Sequence, residues 1–85
     1  MNPAENLRSE AVAVPSAAYR ARLLAMLERV CANCRAEPDP VATVLEHLRR
    51  FWHPWLRQAL TALDAQERAQ ASETARQVLE RLDAG

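Results

Sequence analysis

The chain has 85 residues and a mass of 9.5 kDa, and its 49% apolar and 26% charged residues are typical of one small soluble globular domain. Eleven arginines balance eleven acidic residues, lysine does not occur, and the pI is about 6.7. This balance argues against nucleic acid and anionic membranes as partners, because both bind proteins with a basic excess. No apolar run approaches the roughly 20 residues that cross a bilayer, and the start carries no signal-peptide pattern, so we expect a cytoplasmic protein.

The composition predicts an all-α fold. Seventeen alanines favour helix, and the only glycine is the last residue, so hairpins would lack their turn residues. We predict a small bundle of three to four short helices in a helical domain over residues 16–85. An extended N-terminal arm over residues 1–15 precedes it, because that stretch has no sustained hydrophobic period.

The first helix is predicted from Ser16 to about Ala36, and Pro38 and Pro40 end it. Asp39 is a suitable N-cap for a second helix, with Pro40 in its first position. The apolar residues of the first helix fall on an arc of roughly 120°. They are Leu23, Leu24, Leu27, Val30, Cys31 and Cys34.

The apolar stripe of residues 41–63 keeps helical spacing across Pro54 and spans roughly 180°. We favour a helix break at His53, and a kinked helix is the alternative. The stripe is wider than a short helix needs against two neighbours, so part of it is available to a partner. Its members are Val41, Val44, Leu45, Leu48, Phe51, Trp52, Trp55, Leu56, Ala59, Leu60 and Leu63.

The last helix begins between two candidate caps. Asp64 with Glu67 resembles a capping box, and Ser72 is the second candidate. The inner stripe of this helix comprises Ala71, Ala75, Val78, Leu79 and Leu82. We interpret the glutamates at 28, 46, 73 and 80 as solvated helix charges.

The cysteines and histidines have the spacing of a Cys2His2 zinc finger, with two residues between Cys31 and Cys34 and five between His47 and His53. A finger needs its cysteines on a hairpin, whereas these lie in a helical pattern, and the histidines would point about 120° apart on one helix. We therefore predict two buried thiols and no metal site. A dithiol redox role is disfavoured, because the pair lies near a helix C-terminus. No phosphate-binding loop, triad or isolated carboxylate pair occurs, so we expect no catalytic residue.

The middle of the chain resembles the delta subunit of NAD-dependent formate dehydrogenases. The resemblance covers about 60 residues and rests on a Pro-Asp turn, a Ser-started last helix and one motif, His47-x-x-Arg50-Phe51-Trp52-x-Pro54-x-x-Arg57. It implies a non-catalytic accessory subunit of a molybdenum- or tungsten-dependent complex. Such a subunit binds the large catalytic subunit, supports assembly or stability, and carries no cofactor, since the cofactors belong to the larger chains.

Five residues of the motif region are the candidate partner-binding residues. Tryptophan and arginine are the side chains most enriched at interface hot spots, and Arg50 and Arg57 would lie about 20° apart on one continuous helix. The alternative for both tryptophans is the core of the bundle. Alternative functions are a small zinc-binding regulatory module and a transient helical assembly chaperone, and self-association stays open. The candidate residues are Arg50, Phe51, Trp52, Trp55 and Arg57.

Overall fold

The computed structural model describes residues 15–85, which form five helices and no strand. The all-α prediction is confirmed. Four helices have seven or more residues and the other has five, so the predicted count of three to four is exceeded by one short helix. The predicted arm lies outside the described residues except for Pro15. The helices are α1 (Ala17–Cys34), α2 (Pro40–Phe51), α3 (Pro54–Leu60), α4 (Ala65–Ala69) and α5 (Glu73–Ala84).

None of the helices in residues 15–85 combines the length and the apolar character that crossing a membrane requires.

The first two helices begin at the predicted positions. The side chain of Ser16 accepts a hydrogen bond from the backbone N–H of Tyr19, and Asp39 accepts one from Ala42, each at 3.1 Å. Each cap satisfies an N–H group that has no partner inside its helix. The α1 helix ends at Cys34, slightly before the predicted end, because the chain turns there ahead of its two prolines.

The predicted break at His53 is confirmed. The α2 helix ends at Phe51, and Trp52 and His53 have extended backbone conformations with ψ of 137° and 139°. Pro54 then opens α3, where its missing N–H costs no helical hydrogen bond. The ring nitrogen Nδ1 of His53 accepts from the backbone N–H of Trp55 at 3.0 Å and so caps the new helix.

Both candidate caps of the C-terminal region are used, by two different helices. Asp64 and Glu67 form the predicted capping box at the start of α4, with two reciprocal hydrogen bonds of 2.8 Å. Ser72 caps α5 through the backbone N–H of Ala75. Asp64 and Ser72 each begin a helix, so the region predicted as one last helix forms the short helix α4 followed by α5.

The core lies between α1, α2 and α5, and α3 also packs against α1 and α5. The predicted inner stripes are confirmed at most positions. Trp52, Leu56 and Leu82 are partly buried against the core, whereas Phe51 and Trp55 are exposed. The buried residues are Leu23, Leu27, Cys31, Val41, Val44, Leu45, Leu48, Ala59, Leu60, Leu63, Ala71, Ala75, Val78 and Leu79.

Polar side chains join α1 to the C-terminal helices. The carboxylate of Glu28 accepts from both the backbone N–H and the hydroxyl of Ser72, each at 2.7 Å. The interpretation of Glu28 as a solvated charge is therefore wrong, because this carboxylate lies at the N-terminus of α5, where the helix dipole favours an anion. Arg20 donates through Nε to Glu67 at 3.0 Å and through a terminal nitrogen to the carbonyl of Pro15 at 2.8 Å.

Arg68 also holds the short helix α4 in place. Its guanidinium donates to the backbone carbonyls of Leu63 and Thr61, each at 2.9 Å, and forms a bidentate pair with Asp83 of α5. These carbonyls follow the end of α3 and have no partner within a helix. One arginine thus joins the end of α3, α4 and the end of α5.

Candidate protein interaction surfaces

The five candidate partner-binding residues lie around the break between α2 and α3. Arg50 is exposed in the last turn of α2, Trp52 is partly buried in the linker, and Arg57 is partly buried in the last turn of α3. The spacing that would place Arg50 and Arg57 in one row needs a continuous helix, and the break removes it. The structure therefore places the five residues in one region but not on one helix face.

Two of the five, Phe51 and Trp55, are large exposed aromatic residues. The Phe51 side chain is 70% exposed and Trp55 is 39% exposed. Each contacts a second ring: Phe51 lies 5.0 Å from His47, and Trp55 lies 5.7 Å from Tyr19 of α1, measured between ring centroids. We call these four residues the aromatic flank.

A second surface lies on the other side of α3. Arg49 of α2, Arg57 of α3 and Arg81 of α5 line one open depression. The rest of its lining comprises Pro54, Gln58, Thr61, Leu82 and Gly85. We call the three arginines the arginine flank. The sequence reasoning missed Arg49 and Arg81, and the signal that would have found them is their shared position in the last turn of a helix.

The separation of the two flanks follows from helical geometry. Residues two positions apart on an α-helix point about 200° apart, so Arg49 and Phe51 leave α2 on opposite sides, as Trp55 and Arg57 leave α3. Because α3 packs against both α1 and α5, Trp55 reaches Tyr19 on one side and Arg57 reaches the depression near α5 on the other. Each of α2 and α3 thus carries one arginine and one aromatic residue two positions apart. These two pairs give the molecule two chemically different surfaces.

The cysteines and histidines do not converge on one point. Cys31 is buried, as predicted, and burial followed by the nearby charge of Glu28 raises the pKa of its thiol to about 11. The prediction for Cys34 is wrong, because this residue at the end of α1 is only partly buried. Within residues 15–85 no three or more histidine, cysteine or acidic side chains lie close enough to hold a metal ion. A protonated thiol is also a poor metal ligand and a poor nucleophile.

Comparison with known proteins identifies a family. The sequence model of a family described as the NADH-dependent formate dehydrogenase delta subunit FdsD matches residues 22–79, which is more than half of the chain. The matched segment contains all of α2, α3 and α4, and it excludes Arg20 and Arg81. No curated protein and no solved structure matches this chain.

Proposed function

The chain belongs to the FdsD family of formate dehydrogenase delta subunits, and from that premise we propose that it is a non-catalytic subunit that binds the large catalytic subunit. In this proposal it supports the assembly or stability of a cytoplasmic complex and holds no cofactor of its own. Family membership itself supports the coarser statement, that the chain is an accessory subunit associated with a formate dehydrogenase complex.

The observation that carries the proposal is the exposure of Phe51 and Trp55 beside a well-buried core. The core holds leucines and valines at 0–8% exposure, whereas Phe51 is 70% exposed. Exposed large aromatic side chains are typical of a surface that another protein covers. Phe51 and Trp55 are also the members of the apolar stripe in residues 41–63 that stay outside the core, since the other members are buried or packed against it.

The charges of the described residues support a structural role in place of a catalytic one. Active sites concentrate titratable groups with shifted pKa values, and structural ion pairs and hydrogen bonds shift pKa values as well. Here the perturbed side chains other than Cys31 are Arg20, Glu67, Arg68 and Glu73, and each is shifted first by a hydrogen bond to a named neighbour. These hydrogen bonds join helices or stabilise helix ends.

Co-purification of an affinity-tagged chain with the large formate dehydrogenase subunit tests the proposal. We expect the wild type to retain the large subunit and a Phe51→Ala, Trp55→Ala double variant to lose it, because buried aromatic anchors carry much of an interface's binding energy. A Gln66→Ala, Glu80→Ala double variant is the matched control, since both residues are exposed on other helices. Equal retention by the two double variants would show that the aromatic flank is not the contact.

A further inference from the structure

The arginine flank is a concentration of positive charge in a chain with no net charge. Over residues 15–85 the ion pairs are those of Arg20, Arg68 and Arg76, so Arg49, Arg57 and Arg81 have no acidic partner within that range. Glu46 lines an adjoining depression with Arg49 and Arg81 but is exposed and forms no ion pair with them. The three guanidinium groups favour an anion in the depression, against the partial negative charge of the helix ends beside them.

The helix dipole explains why each arginine lies at a helix end, but it does not explain why the three lie around one depression. Basic side chains are favoured in the last turn of a helix, where the backbone carbonyls carry partial negative charge. Arg49, Arg57 and Arg81 all occupy such positions. The dipole does not require that the ends of three helices meet around one depression, and the packing of α5 against α2 and α3 produces that meeting.

The chemistry of the depression favours carboxylates. A guanidinium group presents parallel N–H donors that match the two oxygens of a carboxylate. The volume of the depression, about 290 Å³, lies just below the range for small-molecule sites, so it suits a few side chains better than a large cofactor. Thr61 donates its hydroxyl to the carbonyl of Gln58 at 2.6 Å, so the side-chain donors that remain along the depression are the three guanidinium groups and the amide of Gln58.

We propose that the depression between Arg49, Arg57 and Arg81 binds the carboxylates of an acidic segment of a partner protein. Taking that partner to be the large formate dehydrogenase subunit rests on the proposed function. The site is a second contact, separate from the aromatic flank, and the two contacts on opposite sides of α3 fix the orientation of the bound subunit. Arg81 lies outside the segment that matches the family, so family membership does not imply this site.

The charge of the flank is tested with two triple variants of the full chain. The first variant, Arg49→Gln, Arg57→Gln, Arg81→Gln, removes the arginine flank. The matched control, Arg22→Gln, Arg29→Gln, Arg35→Gln, removes two exposed arginines of α1 and the exposed arginine that follows it. The first measurement is NMR titration with a synthetic peptide of alternating aspartate and glutamate. We expect salt-sensitive shifts at the guanidinium Nε–H signals of the flank, absent from the first variant and kept in the control. No shift in the wild type would overturn the proposal, and so would equal shifts from tripolyphosphate, which would indicate a phosphate site.

The second measurement is the affinity of each variant for the purified large subunit at two salt concentrations. We expect the flank variant to bind about 10- to 100-fold more weakly than the control and to lose most of its salt dependence. Equal affinity of both variants would refute the second contact. If the wild type itself does not bind the large subunit, the proposed function fails, and the peptide titration then decides separately whether the flank is a carboxylate site.

Discussion

Replacement of Phe51 by alanine separates a folding role from a binding role. Phe51 is 70% exposed, so folding removes only about a third of its side chain from water. Full burial of a phenylalanine contributes roughly 1.5–3 kcal/mol, and the exposed fraction reduces this to about 0.5–1 kcal/mol. We therefore expect Phe51→Ala to lower the melting temperature by only about 2–8 °C.

Leu60→Ala is the comparison in the same region, because Leu60 is 0% exposed in α3. Removing a fully buried leucine costs about 3–5 kcal/mol, which is a large fraction of the stability of so small a domain. Binding to the large subunit should depend on Phe51 far more than the melting temperature does. A central aromatic anchor is worth about 2 kcal/mol or more, so we expect Phe51→Ala to raise the Kd roughly 30-fold. The assays are thermal unfolding by circular dichroism and titration of the large subunit. If Phe51→Ala unfolds the chain as Leu60→Ala does, or leaves the Kd unchanged, Phe51 is not an interface residue.

Three further predictions concern the polar contacts and the thiols. Arg68→Met should lower the free energy of unfolding by about 1–3 kcal/mol in urea titrations, because the carbonyls after α3 lose a charged donor; a stability equal to that of the wild type would contradict this role. The hydrogen bond from Arg20 holds the pKa of Glu67 below its ordinary value of 4.5, so this carboxylate stabilises the fold above that pH and the stabilisation is lost as pH falls through the folded pKa. Glu67→Gln should flatten the melting temperature between pH 5 and pH 3, and an unchanged slope would refute the assignment. Cys34 should react with a thiol reagent near neutral pH much faster than Cys31, which is buried with a pKa of about 11; equal rates would show that Cys31 is accessible.

The local structure was predictable because it depends on residues close together in the chain. Caps such as Ser16 and Asp39, and the break before Pro54, follow from the backbone chemistry of a few neighbours. Helical periodicity likewise identified most of the buried residues, since a stripe must face the core wherever the helix lies. The width of the stripe in residues 41–63 also indicated that some apolar side chains, here Phe51 and Trp55, would stay outside the core.

The features that were missed depend on how the helices pack against one another. The sequence shows Glu28 as an ordinary helix charge, because its partner Ser72 is 44 residues away. It does not show that Arg49, Arg57 and Arg81 meet, since each belongs to a different helix. Periodicity also gave no reason to treat Cys34 differently from Cys31, because its partial exposure comes from its place at the end of α1.

Native mass spectrometry of the formate dehydrogenase complex purified from its own cell tests most directly whether this chain is a resident subunit that binds the large catalytic subunit. The proposal predicts that the chain is present in the mature complex in a fixed ratio to the large subunit. On gentle activation the two should leave together as one subcomplex. A mature complex that lacks the chain, or in which the chain dissociates only with a different subunit, would contradict the proposal.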